Sequence, residues 1–205
     1  MLELQDNVLF KNRLGVEEHA PTMNYKCSIY PQFDLGWKIK KWFSVDTDKL
    51  QSWYSELEDK FISHKFICQE TQIPENNWCC FYPPGTGYYN ITSEMTFGYL
   101  KEIKDSLPFT ATDHWTVVTH TPGTRLGMHQ DEPEWLMLHV PIYTNDKATW
   151  IIGGEGGFFM PPGNAHILNS TIPHDVVNYG STDRVHLYFS IPTNELDRLH
   201  VLSQI

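Results

Sequence analysis

Positive charge is scarce in this chain. Fifteen lysines and arginines stand against 25 aspartates and glutamates, giving a formal net charge of −10. With no basic run to focus it, such a balance argues against nucleic acid or an anionic membrane as partner. A small anion is not excluded, because one or two buried arginines can bind it locally. Long apolar stretches are missing too, and no window approaches the roughly 20 residues of a membrane helix. Leu2-Glu3-Leu4-Gln5-Asp6-Asn7 lacks the basic and apolar regions of a secretory leader. Cysteines number only four, Cys27, Cys68, Cys79 and Cys80, at spacings that fit neither a disulfide framework nor a CxxC zinc site. Adjacent cysteines rarely bridge well, so Cys79 and Cys80 read as reduced thiols on alternate faces of a strand. These absences together place the protein in a reducing cytoplasm.

What is present argues for a folded globular protein. The chain has 205 residues, 40% apolar and 14% aromatic, enough for one large domain with an ordinary core. We expect a single domain over 1–205, with N-terminal strands and supporting helices to 110, a β-rich core over 111–192 and a terminal helix over 193–205. Asp46-Thr47-Asp48 offers an N-cap, followed by Leu50, Trp53, Tyr54, Leu57 and Phe61 at helical spacing. Cys68 to Tyr82 reads as extended and Pro83 to Gly87 as a loop. A second helix is expected from Thr92-Ser93, with Met95, Tyr99, Leu100, Ile103 and Leu107 on its apolar side, ending at Pro108.

From Trp115 the texture changes to short β-type runs: Trp115–Thr119, Trp135–Ile142, Thr149–Ile152, Gly157–Met160, Ala165–Asn169, Asp175–Tyr179 and Val185–Ile191. Turns rich in Pro, Gly and Asn separate them. Many short strands at regular spacing predict a mainly β sandwich or jelly-roll barrel with helices packed outside. Thr193-Asn194 then caps a short helix through Leu196, Leu199 and Leu202.

Ten histidines are present, and most of them are expected at the surface or in packing. Two stand out. His129-Gln130-Asp131 places an imidazole and a carboxylate at i and i+2, on one side of an extended segment. His174 follows Pro173 and starts a β-run, ahead of its nearest rival, His166. Two imidazoles and one carboxylate on one face of Fe(II) leave the opposite face for an organic chelate and O₂. Ten positions after His174, Arg184 opens the apolar run Val185–Ile191. An arginine there points inward more readily than it pairs with Asp183 or Glu195 at the surface, and a buried cation needs an anion.

The stretch from about His120 to Pro192 resembles the 2-oxoglutarate/Fe(II) oxygenases of the aspartyl/asparaginyl β-hydroxylase and free-proline hydroxylase type. Pro122-Gly123-Thr124, His129-Gln130-Asp131, Leu138-His139-Val140-Pro141, Met160-Pro161-Pro162-Gly163, His174-Asp175-Val176-Val177-Asn178 and Arg184-Val185-His186-Leu187 carry the resemblance. It implies a double-stranded β-helix, jelly-roll or cupin-like. It implies His129, Asp131 and His174 as catalytic iron ligands and Arg184 as the partner of the distal carboxylate of 2-oxoglutarate. His139 would contact the chelating end of that co-substrate. Where several relatives carry an arginine, this chain has Met137; where some carry a hydroxyl residue it has Val118, with Thr116 and His120 on the same face as substitutes. The implied activity uses Fe(II), 2-oxoglutarate and O₂ to hydroxylate an amino-acid side chain, free or in a peptide, releasing succinate and CO₂.

Arg125 is a candidate for a substrate carboxylate or else a solvated loop arginine. Trp135 and an aromatic hairpin from Tyr143 to Trp150 either wall the substrate pocket or pack the barrel. Gly153-Gly154-Glu155-Gly156-Gly157 is a lid or, more ordinarily, a turn needing positive φ. Two other functions compete: a metal-dependent cupin isomerase or lyase, and a non-catalytic jelly-roll binding module. Arg184 discriminates against the first and iron content against the second.

Overall fold

Asp46 starts the first helix as the sequence predicts. Its carboxylate accepts the Lys49 backbone N–H at 3.1 Å, satisfying one of the donors a helix start leaves open, and α1 (Thr47–Ser63) follows. Leu50, Trp53, Tyr54 and Leu57 are buried along it, each worth roughly 1.5–3 kcal/mol if fully removed from water. The computed structural model describes residues 9–11, 17–19, 36–63, 86–107, 115–128, 131 and 135–192. The second expected helix is divided. A 3-10 turn covers Ser93–Met95, and α2 begins afresh over Gly98–Ser106. Gly98 has φ +52°, a left-handed conformation that interrupts any right-handed helix running on from Ser93. Leu100 and Ile103 of α2 are buried as expected.

Eleven strands are described: β1 (Leu9–Lys11), β2 (Glu17–His19), β3 (Ile39–Ser44), β4 (Thr86–Asn90), β5 (Trp115–His120), β6 (Trp135–Tyr143), β7 (Ala148–Ile152), β8 (Glu155–Phe158), β9 (Asn164–Leu168), β10 (His174–Asn178) and β11 (Arg184–Pro192). β1 and β2 pair with each other, while β3-β9-β6-β11-β5-β4 form a six-stranded sheet and β10-β7-β8 a three-stranded one. Every pairing is antiparallel. The fold is mainly β, a double-stranded β-helix of jelly-roll type with flanking helices.

Three expectations change. Thr86 and Gly87, read as loop, belong to β4 and pair with His120 and Thr119. β8 covers Glu155–Phe158 instead of Gly157–Met160, because Gly153 and Gly154, both at positive φ, close a tight turn that sets Glu155 opposite Ile152. That is the turn reading of the glycine-rich segment. Tyr143 to Trp150 is not a hairpin, since β6 lies in the larger sheet and β7 in the smaller; the chain crosses between sheets there. The cysteines, the extended run from Cys68 to Tyr82 and the terminal helix lie outside the described residues. Among described residues no helix is long and apolar enough to cross a membrane.

Alternation along the strands sorts the side chains into two interiors. Leu136, Leu138, Val140 and Ile142 of β6 and Val185, Leu187, Phe189 and Ile191 of β11 join α1 and α2 in the main apolar core. Their neighbours on the other face include Met137, His139, Arg184, His186 and Tyr188. This face looks toward the smaller sheet, where Trp150, Ile152, Met160 and Val176 form a second cluster with Leu168 and Met137. One face of the larger sheet therefore packs the main core, and the other gathers buried polar and titratable side chains.

Candidate active site

Arg184 begins β11 directly opposite His120 of β5. It is 1% exposed, so the inward reading holds. Its Nη1–H donates to His120 Nδ1 at 2.9 Å and its Nη2–H to His186 Nδ1 at 3.0 Å. The guanidinium lies 5.2 Å from the centre of the Trp150 ring, a cation–π contact with the smaller sheet. No carboxylate among the described residues pairs with it. Burial lowers its pKa to about 9: still a cation at neutral pH, but one held without an acid among the described residues. Asn178 fixes the turn leading to it, its Nδ2–H donating to the carbonyls of His120 (2.7 Å) and Thr182 (2.9 Å). Asn145 joins the same knot at Asn178 and Thr182. A Cβ on Gly180 would collide with Asn145, so only glycine fits that turn.

His174 opens β10, opposite Ile152. Its Nδ1–H donates to the Ile172 carbonyl at 2.9 Å, so in the neutral ring Nε2 carries the lone pair. That nitrogen is 3.6 Å from Asp131 Oδ2. Two cis donors each about 2.1 Å from one ion stand about 3 Å apart, so a small closure would let both reach one ion. The segment before Asp131 runs antiparallel to β10. Gly123 N–H donates to Asn178, Leu126 N–H to Val176 and Asn178 N–H to Thr124, while Arg125 bridges to Val177. Asp131 N–H then donates to the Ser170 carbonyl at 3.0 Å. This pairing delivers a carboxylate from one loop to a histidine 43 residues later in the sequence. His129 lies outside the described residues.

The other candidates are distributed along the same interior. His139 is buried opposite Tyr188, stacked on it at 5.5 Å, and 4.8 Å from the Trp150 ring. Thr116 is buried opposite Tyr188 from the other side, at the level of His139, whereas His120 is at the level of Arg184. Trp135 opens β6, opposite Pro192. Arg125 is neither a solvated loop residue nor open to a ligand on every side. Its Nε–H makes an ion pair with the fully buried Asp175 carboxylate, which also accepts the Gly127 N–H at 2.8 Å. His186 and Asp175 have no site role in the sequence reading, and Trp150 enters it only as the end of an aromatic segment that either walls the pocket or packs the barrel. His186 was within reach: two positions past Arg184, it shares that residue's side of the strand.

Burial holds the His139 and His186 rings well below the usual imidazole range, with Arg184 adding to the effect. His166, cross-strand from His139, is pushed down to about 4 by burial and then by Lys41. Rings in the unfolded chain titrate near 6.5. Below that pH the unfolded state takes up protons that the folded state refuses, so stability is full above 6.5 and falls as the pH drops toward 4. His166 alone is expected to remove about 2 kcal/mol by pH 5. Urea midpoints at pH 7 and pH 5 should show the fall, and His166→Asn should reduce it; equal midpoints would contradict it.

The two facing sheets and their polar interior define a double-stranded β-helix protein of the class shared by cupins and oxygenases. The sequence profile of the aspartyl/asparaginyl beta-hydroxylases matches residues 42–193. The chain belongs to that family. Among curated proteins none matches the chain in sequence. Among solved structures, a prolyl-4-hydroxylase from Pseudomonas putida superposes with a TM-score of 0.51 at 15% identity, covering 78% of this chain and 93% of that one. A 2OG-Fe(II) oxygenase family oxidoreductase from Burkholderia pseudomallei gives 0.34 at 16% identity, over 44% of this chain and half of that one. A cupin domain from Bordetella pertussis gives 0.33 at 18%, over 38% and 78%. The prolyl-4-hydroxylase, at 15% identity, shows a likeness of fold alone.

Proposed function

We propose that this protein is an Fe(II)- and 2-oxoglutarate-dependent dioxygenase that hydroxylates an amino-acid side chain, free or within a peptide. The observation that carries the reading is Arg184: a guanidinium buried inside the β-helix with no acid among the described residues to neutralise it. A dicarboxylate would supply the missing charge. His174 and Asp131, with His129 on the sequence argument, would hold the metal. The bound metal and 2-oxo acid supply the oxidising chemistry, which consumes O₂ and yields succinate, CO₂ and the hydroxylated product.

The protein's own part is placement. The Ile172 carbonyl fixes which nitrogen of His174 faces Asp131. Trp150 stands between the two halves of the site, 5.2 Å from Arg184, 4.8 Å from His139 and 5.9 Å from His174. It closes the interior between the anion anchor and the metal donors, which keeps bulk water from the reacting centre. His139, neutral because burial disfavours its cation, can face the co-substrate without adding charge.

Purified protein with Fe(II), 2-oxoglutarate and O₂ is expected to release succinate in step with the oxidation of one amino acid or peptide from a broad panel. His174→Ala should lower Fe(II) affinity by at least ~100-fold and abolish that turnover. Silence across all amino acids and peptides would count against the substrate class. Undiminished iron affinity in His174→Ala would count against the metal site.

A further inference from the structure

The interior between the two sheets changes character along its strands. Asn178, at the end of β10, donates to the His120 carbonyl, and His120 lies opposite Arg184, so this end is the cationic one. His174 starts β10 four residues earlier, about 13 Å away along an extended chain. The far end is apolar on both sheets. Met137, Leu168 and Ile39 stand side by side across β6, β9 and β3, with Met137 opposite position 190, six residues along β11 from Arg184. Across from them Ile152 faces His174 in the register of the smaller sheet, and Leu126 and Ile172 join the same cluster. The chain from Leu168 to His174 ties this cluster to the metal donors: Ser170 accepts the Asp131 N–H at 3.0 Å, and the Ile172 carbonyl holds the His174 ring at 2.9 Å. Ile39, Leu126, Met137 and Ile172 are only partly buried, which leaves apolar surface for a ligand to cover. Two cations that border this end already have acids, Arg125 with Asp175 and Lys38 with Glu155. Lys41 shares the face of Ile39 but is exposed on the edge strand β3.

We propose that the side chain this protein hydroxylates is aliphatic, received by a wall of Met137, Ile39, Leu126 and Ile172 beside the His174–Asp131 pair. The inference rests on the function proposed above and adds to it the chemical class of the reacting side chain. The ground is what each kind of side chain loses on leaving water. A leucine side chain laid against this wall loses nothing but its contact with water, which favours binding by roughly fourfold for each methylene covered. An asparagine or aspartate side chain has nearly the same shape but gives up hydrogen bonds to water. Three hydrocarbon side chains and a thioether have no donor to return. The wall therefore selects by polarity between side chains that it cannot tell apart by size.

Calorimetric titration of the anaerobic Fe(II) protein with 2-oxoglutarate present tests this by binding, without turnover. The probes are leucine, asparagine and aspartate, and the series alanine, 2-aminobutanoate and norvaline, each as the free amino acid and as its N-acetyl amide. Leucine is expected to bind at least about tenfold more tightly than asparagine or aspartate, and each methylene of the series to add roughly fourfold. Both results come from the wild-type protein and need no variant to fold. Met137→Gln, which sets an amide of similar length into the wall, and Ile39→Ala, from a different strand, should each weaken leucine about tenfold. Titration of the variants with 2-oxoglutarate alone reports whether their sites are intact. Asparagine or aspartate binding as tightly as leucine, a series with no trend, or leucine unaffected by both substitutions would overturn the proposal. So would a wild-type protein that binds 2-oxoglutarate and none of the probes. Wild-type protein that takes up iron but no 2-oxoglutarate would overturn the function reading itself, and this inference with it.

Discussion

Replacing Arg184 with methionine should abolish 2-oxoglutarate binding, by about a thousandfold, and leave the protein at least as stable as before. Both halves follow from burial. The guanidinium is 1% exposed, and burial brings its pKa down to about 9, so the fold holds the cation against its preference for water. Below pH 9 the cation is present in both folded and unfolded states and its desolvation cost is undiminished. Above 9 the folded state gives up a proton that the unfolded state keeps, so wild-type stability should rise with pH there. Exchanging a buried charge for an apolar side chain of similar volume is often neutral or stabilising by roughly 1–4 kcal/mol. His120 and His186 lose a donor in the exchange, but a neutral imidazole can move its proton to the other nitrogen. Thermal melts and equilibrium binding check the two halves separately. A steep fall in melting temperature with affinity retained would reverse the assignment, making Arg184 structural.

Asp175→Asn should do the opposite. Its carboxylate is fully buried and serves both the Arg125 Nε–H and the Gly127 N–H. Breaking a buried ion pair from one side typically costs about 3–5 kcal/mol, because a charge is left without its counterion. The lower end is expected here, since Asn retains one acceptor oxygen and Arg125 is 10% exposed. The damage should also reach the site. Residues 123–127 lie along β10 through that ion pair and the neighbouring backbone bonds, and they lead to Asp131. Fe(II) affinity should fall about tenfold, as for other groups that orient a ligand from behind. Urea denaturation and metal titration of the purified variant test the two effects. An unchanged urea midpoint would show that the pair contributes nothing to the fold. Together the two substitutions separate a cation kept for a ligand from a cation kept for the structure.

Local signals were legible in the sequence and distant pairings were not. The Asp46 cap and the spacing of Leu50, Trp53, Tyr54 and Leu57 define α1 because a helix is written within a few residues. The inward course of Arg184 was readable because the run after it is too apolar for a surface strand. Gly98 lay in plain view, yet nothing local says that it takes a positive φ instead of continuing the helix, and the expected single helix became two elements. Arg125 shows the limit most clearly. Its partner Asp175 is 50 residues away, and no local pattern marks one loop arginine as paired and another as free. The crossing between β6 and β7 is of the same kind: aromatic residues on both sides of a turn look like a hairpin until the sheet order is known.

In the proposed function His174 and Asp131 hold a metal whose open face meets an acid anchored on Arg184. The most direct test is the visible spectrum of the Fe(II)-loaded protein without oxygen as 2-oxoglutarate is added. A charge-transfer band is expected that saturates at one equivalent and is lost in Arg184→Met at the same ligand concentration. Iron bound at full stoichiometry with no band at any 2-oxoglutarate concentration would contradict the proposed function.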